Sequence, residues 1–158
     1  MGEESLRLGG IRTIGLISDT HGLLRPEALR ALEGSDLIIH AGDVGKPGIL
    51  DALRAIAPVV AVRGNIDTGA WADSLPETAS AEEIFVLHDV KQLAVEPHAA
   101  GFRVVVSGHS HRPGSAERDS ILYINPGSAG PRRFKLPITV ARLDVTREPW
   151  AIEFIDLA

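Results

Sequence analysis

Thr13-Ile14-Gly15-Leu16-Ile17-Ser18 runs into Asp19, a short apolar, β-branched stretch closed by a carboxylate. Apolar residues on both faces of so short a run read as a buried strand, and the polar residue after it as the start of a loop. The pattern recurs four times. Leu37-Ile38-Ile39-His40-Ala41-Gly42 ends at Asp43, Val59-Val60-Ala61-Val62-Arg63-Gly64 at Asn65, Ile84-Phe85-Val86-Leu87 at His88, and Val104-Val105-Val106-Ser107-Gly108 at His109. Helix signals lie between the first strands. Pro26 opens a segment with Ala28, Leu29, Ala31 and Leu32 on one face before Gly34, and Pro47 opens another through Ile49, Leu50, Leu53 and Ile56 before Pro58. Strands alternating with helices predict an α/β fold with a largely buried sheet. The last third reads differently: residues 122–124, 138–144 and 150–155 are strand-like with turns and no helix between them, which predicts a second, mostly antiparallel sheet. Residues 70–81 read as a loop. The fold expected is a two-sheet α/β sandwich flanked by helices.

Composition bounds what such a chain does. Its 158 residues suit one domain spanning 1–158, and 44% hydrophobic with 23% charged residues exclude a disordered, collagen-like or coiled-coil chain. The absence of Cys excludes a disulfide scaffold, a thiol nucleophile and any Cys-ligated metal, so a metal here needs N and O ligands. A net charge of −5 and 4% aromatics argue against a nucleic-acid groove. Residues 1–11 are expected to be flexible and carry no apolar segment of a signal peptide; Ser5 falls one place too early for a myristoylation motif. No apolar stretch is long enough for a bilayer. A soluble cytoplasmic protein is expected, with no membrane partner and a homo-oligomer left open.

The residues that end the strands are the informative ones. Asp19, Asp43, Asn65, His88 and His109 follow one another at intervals of 24, 22, 23 and 21 residues, about one strand plus its crossover. If the strands share a sheet, their C-terminal ends gather at one edge, where open α/β sheets place ligands. His21 and His111 stand two residues beyond Asp19 and His109. Singly, each Asp or Asn is an ordinary turn or cap residue and each His an ordinary polar one. Together, two carboxylates, an amide and four imidazoles match divalent Mn, Fe, Co, Ni or Zn. His40 reads either as a partner to a ligand or as a core residue, and His98 as a surface residue.

Asp19-Thr20-His21-Gly22, Gly42-Asp43, Gly64-Asn65, His88 and Gly108-His109-Ser110-His111, in this order, resemble the calcineurin-like metallophosphoesterases, in particular their small bacterial and archaeal phosphodiesterase branch. Asn125-Pro126-Gly127-Ser128 is also similar to a segment of that branch, and the resemblance covers roughly residues 12–145. It implies a metal-dependent phosphodiesterase with two divalent ions, Mn foremost. Asp19, His21, Asp43 and His111 would hold one ion and Asp43, Asn65, His88 and His109 the other, with Asp43 bridging. Asp43 and Asn65 would be the residues closest to the chemistry. Two ions about 3.5–4 Å apart need a shared anion to offset their repulsion, and together they turn a bridging water into hydroxide for attack on a phosphate ester. Two dications would also offset most of the net −5.

The chain departs from the larger relatives in three places. Val44-Gly45 follows Asp43 where many carry Asp-Arg, and Ile66 follows Asn65 where they carry a His that assists the leaving group. Asp89 follows His88 where Gly is expected; it reads as a loop cap first and as an extra carboxylate second. No general acid is assigned, and His40 and Asp67 remain candidates for one. Pro131-Arg132-Arg133-Phe134-Lys135 is the one dense basic cluster, a phosphate clamp or a solvated loop, with Arg132 and Arg133 the candidate substrate residues. Two other functions compete. The retromer's vacuolar-sorting scaffold subunit resembles this fold and binds protein, and a metal-dependent nuclease would use similar ligands. Retention of a ligating residue at every expected position favours an enzyme over the scaffold, and the acidic balance with so few aromatics for base stacking disfavours the nuclease.

Overall fold

The strand that opens the chain pattern, β1 (Thr13–Ile17), lies at the centre of its sheet in the computed structural model, which describes residues 10–133 and 135–157. It pairs in parallel with β2 (Leu37–His40), which pairs in parallel with β3 (Val59–Ala61). Between them run α1 (Pro26–Leu32) and α2 (Pro47–Arg54), each with proline in its first turn, where the missing N–H costs nothing. Next come a short helix α3 (Ala70–Asp73) and the hairpin β4 (Thr78–Ala81) and β5 (Ile84–Leu87). β6 (Val104–Val106), β7 (Gly114–Arg118), β8 (Ile121–Asn125), β9 (Thr139–Asp144) and β10 (Ala151–Asp156) complete the order.

The strands form two five-stranded mixed sheets, in the orders β10-β9-β1-β2-β3 and β4-β5-β6-β8-β7. Period-2 alternation explains how they stack. Ile14, Leu16, Leu37 and Ile39 of the first sheet meet Ile84, Val86, Val104, Val106 and Ile124 of the second in one buried layer. The opposite faces of β1 and β2, at Ile17 and Ile38, are covered by Ala28, Leu32, Ile49, Leu50 and Leu53 of α1 and α2. The second sheet's outer face, Phe85, Leu87 and Val105, is covered by Val90, Leu93 and Phe102 from the segment after β5, which carries a 3-10 turn at Val90–Gln92. Among the described helices, the two longest therefore both flank the first sheet. The architecture is the expected α/β sandwich.

Three expectations need correction. The five strands followed by candidate ligands do not share one sheet: β1, β2 and β3 lie in the first, β5 and β6 in the second, each set parallel. The last third does not form a sheet of its own. β8 pairs in parallel with β6, while β9 and β10 add antiparallel to the free side of β1, because a buried central strand leaves no unpaired edge in water-free surroundings. Residues 70–81 are not only loop, since they hold α3 and the edge strand β4. The expectation of a flexible 1–11 falls mostly outside the described residues; within them, Ile11 packs on the core. Among the described residues no helix is long and apolar enough to cross a membrane.

Candidate metal centre

The loops after β1 and β2 are zipped together by their backbones: Asp19 N–H donates to the Gly42 carbonyl at 3.0 Å, His21 N–H to Asp43 at 2.9 Å, and Gly22 N–H to Val44 at 2.9 Å. The loop after β6 joins them from the other sheet, with Gly108 N–H on the His88 carbonyl at 2.9 Å and His109 N–H on Asp19 Oδ2 at 3.1 Å. These close approaches need residues without side chains. A Cβ on Gly108 would overlap Ser18 Oγ and meet Asp19 Oδ2 at 2.6 Å, and one on Gly64 would overlap the backbone N and Oδ1 of Asp43.

The backbone is strained where the candidate ligands stand. Asp19 (φ 56°), His21 (48°), Asp43 (57°), His109 (72°) and His111 (65°) all adopt the left-handed conformation. Non-glycine residues rarely do so, at a cost of about 1–3 kcal/mol each, and such strain concentrates at functional sites.

That conformation aims the side chains at one another. Asp43 Oδ2 lies 3.3 Å from His21 Nε2 and 3.2 Å from His88 Nε2. Asp19 Oδ1 lies 3.4 Å from His111 Nε2, 3.8 Å from His21 Nε2 and 3.9 Å from His88 Nε2. Each carboxylate has one oxygen held and one presented: Asp19 Oδ2 accepts from Ser18 Oγ at 2.6 Å, and Asp43 Oδ1 from Ile66 N–H at 3.0 Å. The His88 Nδ1–H donates to the Ala41 carbonyl at 2.7 Å, which turns Nε2 toward the two carboxylates, the usual way a protein orients an imidazole ligand.

Electrostatics follow from this packing. Burial pushes the Asp19 carboxyl up, but His111, His21 and the Ser18 hydroxyl outweigh it and hold Asp19 well below the usual carboxylate range. Burial likewise opposes ionisation of Asp43, and contact with His88 and the Ile66 N–H overcomes it, so this carboxyl is lowered too. His88 loses from burial and gains more from Asp43, Ala41 and Asp19, so it is raised.

A divalent ion fits these residues. Asp19 Oδ1 and His21 Nε2 are buried polar atoms without a hydrogen-bond partner, which is costly unless something else satisfies them. Donor atoms of Asp19, His21 and His111, and again of Asp19, Asp43 and His88, lie within 4.8 Å of one another. Asp19 is thus common to both groups, whereas the expected division had Asp43 alone shared. His109 and Asn65 are exposed at the rim: His109 Nδ1 lies 3.3 Å from His88 Nε2, and Asn65 lines a cleft of about 500 Å³ with His88 and His109.

The remaining candidates sort by contact. Asp89 caps the 3-10 turn, accepting from Lys91 N–H at 3.1 Å, and its other oxygen stands 3.9 Å from His109 Nε2. His98 is exposed. His40 is fully buried, accepting from Gly42 N–H at Nδ1 and donating from Nε2 to Thr20 Oγ1, whose hydroxyl donates to Val44; burial lowers its pKa to about 4. Asp67 is also buried and accepts from Val44, Gly45 and Gly64 N–H. Both are occupied in holding the Asp43 loop, so neither takes the place of the missing acid. Arg132 and Arg133 are exposed; Arg132 donates to the Leu136 carbonyl and neither lines the cleft, although their segment follows Ser128 and Ala129, which bond to the Asp19 and Ser18 carbonyls.

Sequence reasoning missed the roles of Ser18, Asp67 and Asn125. Asn125 Nδ2 donates to the Gly108 carbonyl and Ser110 Oγ, and so fixes the His109 loop from β8. The Asn-Pro-Gly-Ser segment was its only signal.

Comparison with known proteins identifies the family and the fold. Residues 13–148 match the model of the calcineurin-like phosphoesterase superfamily domain. A protein of Methanothermobacter thermautotrophicus named as a probable metallophosphoesterase is 35% identical over 148 residues, covering 83% of this chain and 86% of its own length. Two solved structures share the fold at lower identity. One, described as a novel archaeal phosphodiesterase, has a TM-score of 0.74 at 23% identity and covers 90% of this chain and 99% of its own. The other, Vps29 of Chaetomium thermophilum, has a TM-score of 0.71 at 22% identity, covering 91% of this chain and 97% of its own. With the family model spanning β1 to beyond β9 and a relative above 30% identity across most of both chains, this chain belongs to the calcineurin-like phosphoesterase superfamily.

Proposed function

We propose that the protein, acting as one domain, is a metal-dependent phosphodiesterase for small phosphate esters with two divalent ions, Mn foremost. The observation that carries this reading is the convergence of Asp19 Oδ1 and Asp43 Oδ2, each the free oxygen of its carboxylate, on His21, His88 and His111. Asp19, His21, Asp43 and His111 would hold one ion, and Asp43, Asn65, His88 and His109 the other. Asp43 is the bridge in this reading, because its Oδ2 lies closer to both His21 and His88, at 3.3 and 3.2 Å, than Asp19 Oδ1 does, at 3.8 and 3.9 Å. Bound ions supply Lewis acidity: they lower the pKa of water and draw charge from the phosphoryl oxygens.

The chain's own residues do the rest. Ser18, Ile66 N–H and Ala41 fix the ligand orientations, and Asn65 and His109 stand at the open rim. Arg132 and Arg133, on the exposed segment that follows Ser128 and Ala129 and outside the cleft wall, would reach a substrate phosphate from beyond the rim. Buried, converging ligands held in strained loops support a hydrolase over a protein-binding scaffold, whose binding surface does not require them. A test takes chelator-treated protein and assays aryl phosphodiesters and phosphomonoesters with Mn, Ni, Co, Mg and Zn. Diester cleavage restored by Mn is expected, with Arg132→Ala and Arg133→Ala each about tenfold weaker in kcat/KM, the low end for a charged hydrogen bond. No cleavage with any of the five metals would refute the reading.

A further inference from the structure

We propose that a second cleft, beside the first and sharing His109 and Asp89 with it, is a subsite for the other arm of the diester and selects an arm with its own negative charge. The inference rests on the phosphodiesterase reading above. A diester carries two substituents on phosphorus, so a centre that cleaves it must accommodate both. The cleft containing Asn65 and His88 offers one place, and this second cleft of about 430 Å³ the other. They meet at His109, whose side chain is 47% exposed and therefore open to both.

Charge separates the two. In the first cleft Arg63 is answered by Asp73 at 3.8 Å and Glu77 at 3.7 Å, and Asp89 adds a further carboxylate. Among the cleft's lining side chains, Arg63 is therefore already neutralised and offers an anionic arm no spare cation. The second cleft presents Lys91, Arg112 and Arg118 against Asp89 alone, and Asp89 is already engaged by Lys91 N–H on one oxygen. A local cationic surplus in a chain of net charge −5 is a specific feature, because the average field of the molecule opposes it.

The cations are also placed. Arg118 ends β7, and its guanidinium lies over the Tyr123 ring of β8 at 4.3 Å, on strands registered by Ala116↔Tyr123 and Arg118↔Ile121. A guanidinium stacked in this way loses little freedom on binding and keeps its N–H edge for a bidentate contact with a carboxylate or phosphate. The floor is rigid, since Asn125 ties Gly108 and Ser110 and Ser110 Oγ accepts from Arg112 N–H. The ligand chemistry is thus a terminal anionic group on the arm, carboxylate or phosphate, beside the aromatic and apolar wall of Tyr123 and Val90.

The experiment uses three matched phosphonate analogues that cannot be cleaved at the arm, ending in carboxylate, phosphate or neutral carboxamide. Each is titrated calorimetrically into Mn-saturated protein. Both charged arms should bind about tenfold more tightly than the carboxamide, the low end for charge-assisted contacts at a partly exposed site. In Arg112→Gln/Arg118→Gln the three should fall within about twofold of one another, while Arg132→Gln/Arg133→Gln should weaken all three and keep the ratio. Whichever anion binds more tightly names the natural terminus. No preference in the wild type, or a preference that survives Arg112→Gln/Arg118→Gln, overturns the subsite. Parallel hydrolysis of the matching aryl esters separates the two readings: cleavage without arm discrimination defeats the subsite alone, and selective binding without cleavage by any metal defeats the phosphodiesterase alone.

Discussion

Asp43 Oδ2 stands between two imidazoles from different sheets, at 3.3 Å from His21 and 3.2 Å from His88, with its other oxygen tied to Ile66 N–H. If it bridges, its loss removes a ligand from both ions at once. Asp43→Asn is expected to lower kcat/KM by about 10³-fold or more, on the scale of losing a principal electrostatic stabiliser, and His21→Asn by clearly less. Equal losses measured in steady-state assays would count against the bridge. Ile66, 39% exposed beside Asn65, has no ionisable side chain, and His40 and Asp67 are bound up in buried hydrogen bonds. In the proposed reaction the departing oxygen would therefore have to leave as an anion, with bound metal supplying the only charge relief. A series of substituted phenyl diesters should show log kcat/KM falling steeply with leaving-group pKa; a flat plot would reveal a proton donor. At this scale the sequence was readable where residues end apolar runs, which is how Asp19, Asp43 and His88 stood out. It was not readable for Asp67 or Ser18, whose roles depend on backbone groups brought in from other loops.

Elements β1, β2, β3, β5 and β6 were legible because burial leaves mostly apolar side chains in them, Thr13 at the start of β1 and His40 at the end of β2 apart. The hidden ones are polar edges. β7, Gly114–Arg118, is almost wholly exposed and exists because Asp119 (φ 53°) and Ser120 (φ 68°) form a two-residue left-handed turn onto β8. β4 is a small-residue edge held by its hairpin with β5. Which sheet receives β8, β9 and β10 is a matter of distant pairing that no local pattern encodes. The loops between elements depend on Asp67, whose carboxylate joins Val44, Gly45 and Gly64. Asp67→Ala leaves three backbone N–H groups without their acceptor and is expected to destabilise by about 3 kcal/mol, with metal affinity falling alongside. Denaturant unfolding and metal titration measure the two; a neutral variant would mean water replaces the carboxylate.

At the scale of the whole molecule, two sheets meet at an edge where titratable groups are buried, and stability inherits their pH dependence. His40 has a folded pKa of about 4 against 6.5 when exposed. Between these values the unfolded chain binds a proton that the folded chain refuses, so stability is complete above pH 6.5 and falls as pH drops toward 4, by about 3 kcal/mol in all. His88, raised instead, contributes stability below pH 6.5 that is lost as pH rises through its folded pKa, and this contribution is common to wild type and variant. Metal-free protein should thus lose stability between pH 6.5 and 4 more steeply than metal-free His40→Asn; parallel curves would contradict the buried neutral imidazole. The same edge collects donors from both sheets, and two ions are what that arrangement is proposed to hold. The most direct measurement is elemental analysis of chelator-treated protein saturated with Mn and freed of excess metal: the account predicts two ions per chain, falling together in Asp43→Asn, and one ion or none in the wild type would contradict it.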